Sequence, residues 1–276
     1  MTVTRQDIDF LVATARTAAD VEIMPRFANL AAADIKTKAH ASDFVTVADV
    51  AAEEMIERQV RAAWGDDFLF IGEEVMERRP TLIDQLMDAP RAVVVDPIDG
   101  TFNYANGVPA FAVIISIVEY GEVTGGIIYD PLRRDAACAI RGGGAFLTGD
   151  ARPDRPLRVA PAAPLSEMQG CAGWYYADAD ERDRLLDGLK QVSNVMNYRC
   201  GGQEMRLLVA GRIDYCYYHK LSPWDHAAGW LIHREAGGHS ALIDGTPYRP
   251  DLRAGGLLMT PDAASWTALA AALRGN

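Results

Sequence analysis

The segment that most constrains this chain is Ala92-Val-Val-Val-Asp96-Pro97-Ile98-Asp99-Gly100-Thr101-Phe102-Asn103. Its apolar start reads as a buried strand that runs straight into two carboxylates three positions apart. A fold that buries this strand must deliver both acids to the carboxyl edge of a sheet, where ligands commonly bind. Pro97 fixes one backbone angle and removes a donor. The strand is therefore expected to end at Asp96-Pro97, with the turn left open for oxygen ligands that include the Ile98 carbonyl. Gly100-Thr101 then opens a short helix whose first N–H groups lack intrahelical partners and face an incoming anion. Taken alone, the same residues also fit an N-capping Asp and a turn Asp in an ordinary strand-to-helix loop.

Two further segments bear on that choice. Phe68 to Ile71 is a short apolar run that delivers Glu73 and Glu74. Adjacent acids are usually surface charge, yet Mg²⁺ prefers carboxylate oxygens, so another Glu near Asp96 and Asp99 is what a second ion would need. Asp225, in Trp224-Asp225-His226, heads a helix that Gly237-Gly238 ends, as an N-cap or as an acid aimed at a metal. His226 and His233 lie two turns apart, about 10 Å along a helix, too far to share an ion. They read as ordinary helix residues. No HExxH, P-loop or GxSxG motif occurs, and Gly142-Gly-Gly144 lacks the spacing of a dinucleotide fingerprint.

Acids beside a helix start imply an anionic ligand, and net charge narrows which one. At −11 the chain offers no basic stripe for a nucleic-acid backbone. A small phosphorylated substrate would need a divalent cation between it and the acids. Cys138, Cys171, Cys200 and Cys216 are dispersed without a CxxC pair, which predicts reduced core thiols rather than a zinc site or disulfides. No basic, apolar leader opens the sequence, and the longest apolar runs, such as Phe111 to Val118, are about half of the ~20 residues a membrane helix needs. A cytoplasmic protein with no membrane segment is expected.

With 276 residues, 49% of them hydrophobic, the chain can bury a sizeable core as one large domain or two halves sharing one site. Thr4 is placed to cap a helix with Asp7 in its first turn and Ile8, Leu11, Val12, Ala15 and Ala19 as its stripe, and Pro25 kinks or ends it. After a polar stretch, Lys36 to Asp43, a second helix is expected from about Asp49 to Trp64, with Glu53, Glu54, Glu57 and Arg58 on its solvated side. Phe111–Glu119 with Val123–Tyr129, and Ala136–Arg141 with Ala145–Leu147, read as hairpins. Gly149 to Pro156 is the expected seam, dividing an N-terminal half, 1–150, with most metal ligands from a C-terminal half, 151–276, with Asp225 and the substrate-selecting loops. Strands alternate with helices beyond it, so the whole is a layered α/β mixture.

Together, Gly72-Glu-Glu74, Asp96-Pro-Ile-Asp-Gly-Thr-Phe-Asn103 and Trp224-Asp-His-Ala-Ala-Gly229 with Glu235-Ala-Gly-Gly238 resemble the signature set of the inositol monophosphatase family. Asp43-Phe-Val-Thr46 with Asp49, Tyr129-Asp-Pro131 and Gly144-Ala-Phe146 extend the resemblance from about residue 35 to about 260. It implies an α/β/α/β/α sandwich of the inositol monophosphatase/fructose-1,6-bisphosphatase type, a homodimer, two or three Mg²⁺ ions per site and lithium sensitivity. Carried over residue by residue, Glu73, Asp96 and the Ile98 carbonyl would bind one ion, and Asp96, Asp99 and Asp225 a second. Glu73 would reach a third through waters. Thr101, bonded to Asp49, would orient the attacking water, and the Gly100 and Thr101 N–H groups would grip the phosphate. Lys38 and Glu74 are further candidates near the site.

The substrate implied is a small phosphorylated metabolite, inositol monophosphate first, with histidinol phosphate and fructose 1,6-bisphosphate as alternatives. Inositol-selective members often carry an acid seven residues before the equivalent of Asp225. Here that position is Tyr218, followed by His219 and Lys220. The family's small Gly-Thr/Ser-Ala stretch is Arg199-Cys200-Gly201-Gly202 in this chain. Both departures point to a more negative substrate or a different alcohol, and make Tyr218 and Arg199 candidate substrate contacts. Phe102-Asn103-Tyr104 stands where nucleotide-directed relatives have Lys-Glu-Phe, which counts against a nucleotide. A dehalogenase-type phosphatase would set its second Asp two residues on, not three. A non-catalytic binding protein on this scaffold would be marked by a broken ligand set, whereas Glu73, Asp96, Asp99, Thr101, Asp225 and Asp49 are all present.

Overall fold

A computed structural model describes residues 3–37, 44–150 and 152–275. Lys38 and Asp43 lie outside the described residues. The N-terminal part contains α1 (Arg5–Ala18), β1 (Ile35–Thr37), β2 (Phe44–Thr46), α2 (Val47–Trp64), β3 (Leu69–Gly72) and α3 (Glu73–Arg78). Then follow β4 (Ala92–Asp99), α4 (Thr101–Ala105), β5 (Ala112–Glu119), β6 (Glu122–Asp130), β7 (Asp135–Ile140), β8 (Gly144–Gly149) and β9 (Arg152–Pro156). The remainder is β10 (Gln169–Gly173), α5 (Ala179–Leu189), β11 (Asn194–Met196), α6 (Gly201–Val209), β12 (Tyr215–Tyr218), α7 (Pro223–Glu235), β13 (His239–Leu242), β14 (Leu257–Thr260) and α8 (Ala263–Arg274).

Seven strands lie in simple chain order, β3 to β9, and five form a second sheet ordered β11-β10-β12-β14-β13. Side-chain alternation along the strands sorts the core into layers. Val93, Val95, Val113, Ile115, Ile117 and Ile127 face α1 and α2, with Ile8, Leu11, Ala52 and Ile56 in the same buried cluster. Their neighbours Val94, Ile114, Val118 and Ile128 face the other way, onto α6 and α7 through Met205, Leu208, Ala228 and Ile232. That middle layer also packs on Cys171, Cys216, Leu257 and Met259 of the smaller sheet. The opposite face of the smaller sheet presents Ala172, Tyr215, Tyr217 and Leu258 to Leu185 of α5 and Leu269 of α8. The five layers are thus helix, sheet, helix, sheet, helix, the sandwich that the resemblance implies.

The caps follow the sequence. Thr4 and Asp7 form a reciprocal capping box on α1, as do Thr46 and Asp49 on α2, so α2 begins two residues before the expected Asp49. Gly126 lets α7 sit against β6, since a Cβ there would lie 2.9 Å from the Ala228 backbone. No described helix is long and apolar enough to cross a membrane.

Two expectations need correction, and the expected seam contains a strand. The strand at Ala92 does not stop at Pro97: β4 continues to Asp99, and its pairing with β5 shifts register between Asp96 and Asp99. A bulge absorbs the missing N–H of the proline and re-aims both acids. Within the expected seam from Gly149 to Pro156, Arg152–Pro156 pair with β8 as the edge strand of the larger sheet. An edge tolerates Pro153 and Pro156, whose absent donors would disrupt a central strand. Glu53 is not on a solvated face either. It is 1% exposed and accepts the Glu74 and Val75 N–H groups at 2.8 and 2.9 Å, capping α3 from a neighbouring helix. Burial pushes its carboxyl up to about 7.

Candidate active site

β4 delivers Asp96 and Asp99 from the larger sheet, and the first turn of α7 delivers Asp225. Ser222 is the N-cap and Pro223 the first helical residue, so Asp225 sits inside the first turn rather than at the cap. Asp96, Asp99 and Asp225 each place a carboxylate oxygen within 4.8 Å of the other two. Asp96 and Asp99 are buried and Asp225 half-buried. The three acids line one cavity with Glu73, Ile98, Gly100 and Thr101.

Burial, then the negative charges of Glu73, Asp99 and Asp225, hold the Asp96 carboxyl well above its ordinary range. Asp99 is pushed up to about 6, first by burial and then by Asp225. The largest charges that act on Asp96 are thus acidic. Clustered hard oxygen donors under mutual repulsion fit a divalent cation of the Mg²⁺ type, and no soft ligand competes among the three.

Asp99 also receives donors from the middle layer. The Gly202 N–H reaches its Oδ2 at 2.5 Å, the Gly201 N–H its Oδ1 at 3.3 Å, and the Cys200 thiol its Oδ2 at 3.0 Å. Cys200 is the N-cap of α6, and its sulfur accepts the Gln203 N–H at 3.4 Å. Burial and the Asp99 charge raise its pKa, which keeps the thiol protonated as a donor. Gly202 cannot be larger, since a Cβ would come 2.9 Å from Asp99 Oδ2. Sequence reading assigned Cys200 only to the core. Its position at the head of α6, next to two glycines, was the available signal.

The Thr101 hydroxyl lies 3.2 Å from Asp49 Oδ1 and 3.0 Å from the Ile98 carbonyl, and donates to one of them. Asp49 is fully buried, its Oδ2 taking the Thr46 N–H and hydroxyl at 2.8 and 2.6 Å. Glu74 does not line this cavity; it borders a separate groove with Lys36, Thr46 and Arg78. Tyr218 and Arg199 do line it, with Phe44, Phe102, Tyr175, Tyr176 and Lys220 towards solvent. Tyr218 is buried, its hydroxyl 3.4 Å from the Gly201 carbonyl and its ring edge-on to His226. His226 and His233 are buried in α7, His226 lining the cavity beside Asp225, and all four cysteines are free buried thiols.

A family model described as the inositol monophosphatase family matches residues 4–276. The inositol-1-monophosphatase of Rhizobium meliloti (strain 1021) is 32% identical over 208 residues, 74% of each chain. The fructose-1,6-bisphosphatase/inositol-1-monophosphatase of Thermotoga maritima is 30% identical over 206 residues, 74% of this chain and 73% of that one. A solved structure, the extragenic suppressor protein suhB from Bartonella henselae, aligns with a TM-score of 0.81 at 27% identity, covering 97% of this chain and 98% of that one. A match over nearly the whole length, around an acid cage built on the expected layers, leads to one assignment: this chain belongs to the inositol monophosphatase family, metal-dependent phosphoric monoester hydrolases.

Proposed function

We propose that the protein hydrolyses a small phosphomonoester with Mg²⁺, two or three ions per site, by direct attack of water. The observation that carries this reading is the convergence of Asp96, Asp99 and Asp225, each with a carboxylate oxygen within 4.8 Å of the other two, a donor set that a divalent cation would suit. Asp96 and Asp99 with the Ile98 carbonyl, Asp225 and Glu73 would hold the ions. When bound, Mg²⁺ supplies neutralisation of the phosphoryl oxygens and a lowered pKa for the attacking water.

The chain's own residues do the rest. With its proton directed at Asp49, the Thr101 hydroxyl presents lone pairs to a water and orients it for in-line attack. The Gly100 and Thr101 N–H groups would hold the phosphate at the start of α4. No step requires a phosphoenzyme, because water attacks phosphorus as the bond to the alcohol oxygen breaks. Inositol monophosphate is the first ester to test, given the name of the Rhizobium relative, and fructose 1,6-bisphosphate the second, given that of Thermotoga. Histidinol phosphate is a third. A homodimer belongs to the same proposal on the resemblance alone, and a cytoplasmic location belongs to it on the shortness of the apolar runs.

Purified protein is expected to release inorganic phosphate from at least one of these esters only when Mg²⁺ is added. Mg²⁺ binding without turnover of any of them would favour a non-catalytic role. The thiol at Asp99 gives a second expectation. Cys200→Ala should weaken Mg²⁺ binding about 5- to 10-fold, the worth of an ordinary hydrogen bond, because a thiol is a weak donor, whereas Cys200→Ser stays within about two-fold. Isothermal titration of both variants with Mg²⁺ decides it: equal affinities would show that the thiol does not position Asp99.

A further inference from the structure

One acid of the cavity has no part in the chemistry above. Glu204, in the first turn of α6, lines the same cavity as Asp96, Asp99 and Asp225 but is not among the carboxylates that converge there. It is 4% exposed, and a carboxylate is buried so deeply only where partners hold it. Its Oε1 accepts the Tyr198 N–H at 2.8 Å, and the Tyr218 hydroxyl bonds to the same carboxylate. Burial pushes the carboxyl up to about 7, and both bonds oppose that rise.

Tyr218 stands seven positions before Asp225, where inositol-selective members often carry an acid. The parallel strands β10, β11 and β12 all run towards the cavity. Gly173 ends β10, Asn197 follows β11, Tyr218 ends β12, and each of the three lines it. With the phosphate on the cage and α4, the alcohol is left to this carboxyl edge of the smaller sheet. The Tyr218 hydroxyl has one proton and three acceptors within reach: the Glu204 carboxylate, the Gly201 carbonyl at 3.4 Å and the Cys216 sulfur. An ionised acceptor makes the strongest of these bonds, so the proton turns to Glu204. Burial, then Cys216 and Glu204 nearby, hold the phenol well above its ordinary range, so it keeps that proton. The lone pairs of the Tyr218 oxygen are left for the cavity. The acid absent at 218 is thus regained at one remove, from a different element.

We propose that Glu204 is a specificity-determining residue that acts through Tyr218: by accepting the phenol hydrogen bond, it makes the Tyr218 oxygen an acceptor for a neutral hydroxyl on the substrate's alcohol. This rests on the phosphomonoesterase reading above and adds how one alcohol is told from another. Tyr218 is the contact, and Glu204 the positioning residue behind it. An alcohol that lacks the hydroxyl leaves a buried acceptor unpaired and is rejected on that ground.

The experiment uses two pairs of esters, each pair sharing a carbon skeleton and a charge: inositol monophosphate with cyclohexyl phosphate, and glycerol 2-phosphate with propan-2-yl phosphate. kcat/KM is measured with Mg²⁺ at pH 8, where Glu204 is ionised. Each variant's preference within a pair is divided by that of wild type, which cancels the unequal reactivity of the two leaving alcohols. Wild type is expected to favour the hydroxylated ester of at least one pair by about tenfold or more. Glu204→Gln should cut that preference about 5- to 30-fold, chiefly through KM. Its carbonyl can keep the Tyr198 bond, while its NH₂ donates to Tyr218 and turns the phenol proton towards the substrate. Tyr218→Phe should cut the preference by a similar factor. Adding Glu204→Gln to Tyr218→Phe should then change it by less than about two-fold, because the relay is already broken. Additive losses in the double variant, equal losses on both esters of a pair, or a wild type without preference would overturn the relay and leave the phosphatase standing. Phosphate release from neither pair would also overturn the relay. If fructose 1,6-bisphosphate and histidinol phosphate released none either, the phosphomonoesterase reading would fall with it.

Discussion

Asp96→Asn is expected to lower phosphate release by about 10³-fold or more while the protein keeps its fold. Asp96 feels every other member of the cage: the charges of Glu73, Asp99 and Asp225 all act on its ionisation. An amide keeps the shape and one oxygen, but gives up the charge that attracts a hard cation. Several kcal/mol of charge stabilisation in the transition state disappear with the ion, and each 1.36 kcal/mol is a factor of ten in rate. The fold does not depend on that charge. Removing one of several mutually repelling buried acids should leave the metal-free protein as stable as before, or more so. Steady-state phosphate release measured beside a melting curve separates the two effects. Turnover within tenfold of wild type in a folded Asp96→Asn protein would exclude the cage as the reaction centre.

The second large effect links pH to the ions. In the metal-free protein Asp99 titrates at about 6 rather than its ordinary 3.8, and Asp96 moves in the same direction. Glu53 and Glu204 sit at about 7 against 4.5, both raised chiefly by burial. Each of these carboxyls binds its proton more tightly folded than unfolded. Their contribution is fully present below the unfolded pKa and is lost as pH rises through the folded one. Asp99 alone accounts for about 1–3 kcal/mol between pH 4 and pH 7, at 1.36 kcal/mol per unit. Added Mg²⁺ should reverse the trend, because ligands must be ionised to bind it and it binds only the folded chain. The rise in melting temperature on adding Mg²⁺ should therefore be much larger at pH 7.5 than at pH 5. Equal shifts at both pH values would mean that the ion binds elsewhere.

The acids of β4 and α7 were legible because strand burial, helix start and carboxylate spacing are local properties of the chain. The layer order was legible too, through the resemblance and through strands that alternate with helices after residue 160 or so. What stayed hidden depends on partners distant in sequence. Glu53 looks like a solvated helix residue until the N–H groups of Glu74 and Val75 are seen beneath it. Cys200 looks like filler until Asp99, from the other sheet, is found against its sulfur. The proline of β4 misled for a different reason. A proline marks the end of a central strand, but an edge or a bulge accepts it, and sequence alone does not say which strand is the edge.

The bonds from Cys200, Gly201 and Gly202 to Asp99 fasten the head of α6 to the end of β4. Sheet and helix are thereby locked at one joint: whatever displaces the start of α6 also displaces the carboxylate that ends β4.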